Sequence, residues 1–215
     1  MTLPDKPKRK YHSNRRQEQA RETRQRILAA ALKLFSKLGY AGATIDAIAQ
    51  EAGVAPLTVF AVFGNKHSIL ASLISVSVGG DDQSIPLLKR PGPQAVLQEK
   101  DPIRQIHRFA ADITDILERV APVFEIMRMA AKTEPDIAEM LKNILKERLH
   151  NLGIFVQHVS ANSKLRDEMS DSEATEIVWA IASPELYRLL TEDRGWSKEH
   201  FSQWLGDTLT RLLLP

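Results

Sequence analysis

The 23 residues from Thr44 to Lys66, TIDAIAQEAGVAPLTVFAVFGNK, restrict this chain more than any other stretch. Ile45, Ile48, Ala49 and Ala52 recur at helical spacing, and Thr44 stands where an N-cap belongs. Gly53 supplies the backbone freedom needed to end one helix and begin another. Val54 is an apolar turn residue expected to tuck between the helices, and Pro56 suits the first position of the next one. Val59, Phe60 and Phe63 are expected to form the inner face of that second helix. Two short helices joined by a glycine turn make a helix-turn-helix pattern.

The flanks extend the pattern in one register. The run ILAAALKLFSKLGYAGATIDAIAQEAGVAPLTVFAVFGNKHSILASLI resembles the N-terminal DNA-binding domain of the TetR family of bacterial transcriptional regulators. The likeness covers roughly residues 23 to 74 and is carried by Phe35, Gly39, Tyr40, Thr44, Ile48, Ala49, Ala52, Gly53, Val54, Thr58, Phe63, Lys66 and Leu70. It implies an all-α fold: an N-terminal three-helix helix-turn-helix domain, residues 23 to 78, then a helical ligand-binding and dimerisation domain, residues 79 to 215. Residues 1 to 22 are expected to form a basic, partly disordered arm.

Charge agrees with a polyanion partner at one end. Residues 1 to 26 hold nine Lys and Arg against three acids, while the whole chain carries only +2. The chain has no cysteine, which excludes disulfides and thiolate zinc sites. No apolar run reaches the length of a membrane span, and the N-terminus lacks a secretory h-region, so a cytoplasmic location is expected.

The rest reads as helices. One should end at Gly39, starting near residue 15 or 22, and Asn65 should cap another through Val78. Residues 79 to 102 hold four prolines and read as a long connection, lid or linker, with a short helix at Gln94 to Gln98. Ile103, Ile106, His107, Ala110, Ile113, Ile116 and Leu117 are expected to share an inner face; Pro122 is expected to start a separate helix, Ala121 to Lys132. Further helices should open at Pro135, at Ser170 or Asp171, at Ser183, and at Ser197, where Trp196 and Phe201 are placed for a hydrophobic staple. Trp179, Ile181, Leu186, Leu190, Trp204, Leu205, Leu209, Leu212 and Leu213 exceed one stripe each, which favours a homodimer through the last two helices. The resemblance implies the same.

Site residues follow residue by residue. Thr44 and Lys66 are expected at phosphates, and Thr58 at phosphate or base. Arg24, with Arg15, Arg16 and Arg21, belongs to the arm. Where the family often carries a polar residue, Tyr, an aromatic and His, this chain has Ala55, Phe60, Ala61 and Val62. Phe60 is expected to keep the packing. Ala55, Pro56, Leu57 and Ala61 cannot make bidentate hydrogen bonds to bases, but they can touch thymine methyls. His107, Phe124, Met127, Arg128, Phe155 and Trp179 are candidates for an effector pocket.

The function expected is a dimeric, sequence-specific DNA-binding regulator: a repressor on an inverted-repeat operator in double-stranded DNA, released by a small-molecule effector. It needs no cofactor, metal or membrane. An activator or ligand-independent regulator is the alternative. A helical di-metal enzyme is a remote one, resting on the Glu147–His150 spacing alone, with no HExxH, no nucleophile motif and no phosphate loop.

Overall fold

The computed structural model describes residues 10–215, with side chains from Arg15 onward, and every regular element among them is helical. The first nine residues of the expected arm lie outside the described residues.

The chain divides into two compact units, through Ser72 and from Leu73. In the first, α1 spans Lys10–Gly42 and is broken at Gly39, whose φ of 72° turns the chain out of the helix. The helix thus begins earlier than expected. The part of the arm from Lys10 to Glu22 is helical, because a run free of Gly and Pro propagates a helix already held by the buried Ile27, Ala31 and Phe35. Leu38, the last residue before Gly39, is half-exposed. Helices α2 (Ile45–Ala52) and α3 (Pro56–Phe63) follow, bent by 104° across their turn, and α4 (Lys66–Gly79) is capped by Asn65 Oδ1, which accepts from Ser68 N–H at 2.8 Å.

The second unit is built on α6 (Pro102–Ala130), which packs against α5 (Pro91–Gln98), α7 (Pro135–Asn162), α9 (Pro184–Arg188) and α10 (Lys198–Leu213). Helix α8 (Asp171–Ile181) lies on α7. Ile103, expected on the inner face, stands half-exposed in the first turn of α6, and Pro122 does not start a new helix. It sits inside α6, where the lost N–H is tolerated because Ala121, Val123 and Phe124 around it are all buried and hold the segment in place. Phe109 and Phe155 stack at 3.9 Å between α6 and α7. Phe201, Leu205, Leu209 and Leu213 of α10 are fully buried. Gly206 lets α10 approach α6, since a Cβ there would overlap the His107 ring. The buried Gln105 is satisfied: it donates to Val96 O at 3.0 Å and accepts from Asn162 at 3.1 Å.

Caps fall where the sequence puts them. Ser170 and Glu173 form a reciprocal capping box, Ser183 caps α9, and Ser197 caps α10. Trp196 packs against the core cluster that holds Phe201, stacks on His200 at 4.0 Å and meets Trp204 edge-on.

The connection after Gly79 is neither bare lid nor loose linker. Arg90, its side chain 11% exposed, donates to Gly79 O at 2.6 Å, Gln83 O at 3.0 Å, Ile85 O at 3.3 Å and both Asp81 carboxylate oxygens, at 3.1 and 2.9 Å. One guanidinium so placed winds ten residues around itself, which the prolines alone do not reveal. Helix α5 then starts at Pro91, earlier than expected.

A half-buried carboxyl marks the α5–α6 seam. Asp112 lies against Gly92, where any Cβ would overlap its oxygens. Burial, then the neighbouring Asp115, push Asp112 up to about 6, with Arg119 opposing. The folded chain therefore holds this proton more tightly than the unfolded one. The group's contribution to stability is greatest below about pH 4 and is lost as pH rises through about 6. Asp112→Asn is expected to stabilise the chain by about 1–2 kcal/mol above pH 7, after allowance for solvent at a half-buried site, and to change little at pH 4. Thermal melts at the two pH values check this; an equal shift at both would exclude the charge as its cause.

Candidate nucleic-acid interface

Thr44 caps α2 as expected: its hydroxyl accepts from Ala47 N–H at 3.1 Å, and the side chain remains exposed. Gly53, at φ 65° and ψ 41°, closes the other end in a Schellman arrangement. Gly53 N–H donates to Gln50 O at 3.2 Å and Val54 N–H to Ala49 O at 3.0 Å. Arg26 adds a long contact to Ala52 O at 3.4 Å, and Lys33 pairs with Glu51 at 2.6 Å, so α1 holds the last two residues of α2.

Helix α3 is nearly free of polar side chains. Among PLTVFAVF, Thr58 alone carries a polar group, and it is half-buried. Ala55 gives no side-chain cap, and Pro56 at the first position has no N–H. Val59 and Phe63, four residues apart, face the core at 1% and 7% exposure. This overturns the expected place of Phe60. One position on from Val59, it is turned about a quarter of the way round the helix and stands 49% exposed. Leu57, three residues before it on the same face, is 78% exposed. Ala55, Pro56 and Ala61 are exposed as expected.

The basic candidates are partly committed within the domain. Arg24 donates to Ser72 Oγ at 2.9 Å and lies over the Phe63 ring at 4.5 Å. It packs the helices together rather than standing out as an arm residue. Lys66 donates to Tyr40 O at 2.7 Å and sits 4.3 Å over the Tyr40 ring. Its ammonium thus neutralises the carbonyl end of α1. Arg15, Arg16 and Arg21 are exposed along α1. Residues 1 to 72 hold 12 Lys and Arg against 5 acids; residues 73 to 215 hold 17 against 22. The positive field belongs to the unit with the helix-turn-helix.

The expected effector-pocket residues each have neighbours of their own within the second unit. His107 faces Gly206 and lies 3.6 Å from Asp207. Phe155 is spent on Phe109. Phe124 and Met127 are core residues of α6, and Arg128 lies over Phe124 and against the Glu185 carboxylate, as an ion pair without hydrogen-bond alignment at Nε. Trp179 is covered by Arg148, which donates to Trp179 O at 2.6 Å and Ala182 O at 2.9 Å. Burial brings Arg148 down to about 10, with Glu185 opposing and Arg128 adding to the fall. None of the six expected residues lines the open groove of about 250 Å³ between α7 and α8, which Leu149, Gly153, Asp171 and Thr175 help to form. Glu147 and His150 both face solvent, and among the described residues no three His, Asp or Glu meet as metal ligands.

With this geometry in place, residues 27–73 match the model of the bacterial regulatory proteins of the tetR family. Those residues make up a TetR-family DNA-binding domain. The chain is 26% identical over 208 residues to the HTH-type transcriptional repressor BepR of Brucella suis, covering 94% of this chain and 97% of that one. It is 29% identical over 134 residues to the regulator UidR of Escherichia coli, covering 59% of this chain and 61% of UidR. Among solved structures, the fold is similar to NalD of Pseudomonas aeruginosa, the secondary repressor of the MexAB-OprM multidrug efflux pump, with a TM-score of 0.67 at 18% identity over 91% of this chain and 98% of that one. FadR of Bacillus subtilis, solved with stearoyl-CoA, gives 0.68 at 18% identity over 86% and 96%. The complex of SmeT with triclosan gives 0.64 at 19% over 90% and 92%.

Lys66 tests the balance between packing and DNA contact in this TetR-type domain. Lys66→Met removes the charged bond to Tyr40 O and is expected to cost about 1–2 kcal/mol in the absence of DNA. A denaturant titration of the free protein measures it. Unchanged stability would leave Lys66 no structural role.

Proposed function

We propose that this regulator is a homodimeric repressor that binds an inverted-repeat operator through α3 and leaves it when a small molecule binds the second unit. The observation that carries the reading is the pairing, in one unit, of a capped helix-turn-helix with a charge of 12 cations against 5 acids. Thr44, at the start of α2, and Lys66, at the start of α4, stand as the phosphate contacts, with the exposed arginines of α1 adding to them. The reading places the protein in the cytoplasm with the DNA. BepR and NalD, both named as repressors, support the sign of regulation, and the FadR and SmeT complexes support a small-molecule effector.

Dimerisation through the last helices rests on fewer residues than their apolarity suggests. Leu205, Leu209 and Leu213 are consumed by the chain's own core, and Leu189 and Leu212 remain exposed, at 49% and 37%. Two copies would set two α3 helices in successive major grooves, about one helical turn apart.

The test is a titration against the DNA upstream of the protein's own gene at 50 and 200 mM salt with non-specific competitor, alongside sedimentation velocity. The expected result is a dimer that binds a short inverted repeat and loses about 10³ in affinity between the two salts. A monomer, or affinity indifferent to salt, would overturn the reading.

A further inference from the structure

Helix α3 carries an apolar ridge on the most basic part of the molecule. Leu57, Phe60 and Ala61 lie on one face at i, i+3 and i+4, with the first two 78% and 49% exposed. Val59 and Phe63 anchor the helix, which leaves most of Leu57 and about half of Phe60 outside the packing. Exposed apolar clusters on a soluble domain mark an interaction surface. The cationic excess of residues 1 to 72 selects a polyanion as the occupant over an apolar protein face. Within a DNA major groove, the one apolar group a base presents is the C5-methyl of thymine. The half-buried Thr58 is the only side chain of α3 able to hydrogen-bond a base edge.

Resting on the DNA-binding reading above, we infer that Leu57 and Phe60 are the specificity-determining residues, and that they read the operator through thymine C5-methyl groups. Discrimination then comes from burying methyls and not from a hydrogen-bond code. Leu57, the more exposed of the two, has the larger share of its surface free to meet the groove. The operator half-site should carry thymines at neighbouring steps, spaced to meet two side chains one helical turn apart.

The experiment removes the methyl and nothing else. A random-sequence duplex pool is enriched on the full-length protein. The preferred duplex is then synthesised with thymine or with deoxyuridine at each half-site position. Loss of one buried methyl is expected to weaken binding about three- to fourfold, and loss of those under both side chains about tenfold. Leu57→Ala and Phe60→Ala each bind the thymine duplex more weakly and bring the thymine-to-uracil ratio close to one at the position under the replaced side chain. A merely structural effect would weaken both duplexes alike and keep the ratio. A wild-type ratio of one on a specific, salt-sensitive duplex overturns the inference and leaves DNA binding standing. No enriched sequence overturns both. A change in the sedimentation of the free protein on Leu57→Ala assigns the ridge to a contact between copies, and overturns the inference as well.

Discussion

The left-handed turn at Gly53 is the constraint on which the DNA-binding unit depends. Its φ of 65° lets two backbone N–H groups close the end of α2 and redirects the chain through 104° into α3. Only after that turn does Val59 face the core, and the helix period then decides every other position of α3. Phe63 returns inward four residues on, while Leu57 and Phe60 are carried outward. An L residue with a Cβ at Gly53 would strain the turn that sets this phase.

Charge and packing work together around that turn. Cations that look free in sequence serve the fold. Arg24 covers Phe63, Arg26 meets the carbonyl end of α2, and Lys66 meets that of α1. Arg26 and Lys66 sit where helix dipoles concentrate negative potential, so the same charges stabilise the domain and add to the field that attracts DNA. In the second unit the corresponding device is Arg90, which orders the segment after α4, and Arg148, which ties down the carbonyls at the end of α8. Both are largely buried arginines whose donors are matched by backbone oxygens, which is what makes their burial tolerable.

Helix ends were legible residue by residue: Thr44, Asn65, Ser170, Ser183 and Ser197 all accept the backbone N–H groups their positions predict. Capping is local chemistry and needs no knowledge of distant contacts. Pro122 was misread for the opposite reason. A proline is normally a boundary, but buried neighbours on both sides outweigh one missing hydrogen bond. Side-chain chemistry alone says less: His107, Phe155 and Trp179 each lie against a partner from another helix, Gly206, Phe109 and Arg148, that no local pattern names.

The sequence by itself determined the helix-turn-helix, the order of the helices and the concentration of positive charge in the first 72 residues, because period, caps and composition are properties of neighbours along the chain. Tertiary structure alone decided which side chains are spent inside and which are left over. Leu205 and Leu209 vanish into the core while Phe60 stands half-exposed, although all three are apolar residues on helices. Burial depends on the phase of each helix against its partners, and that phase is set by contacts between residues far apart in sequence.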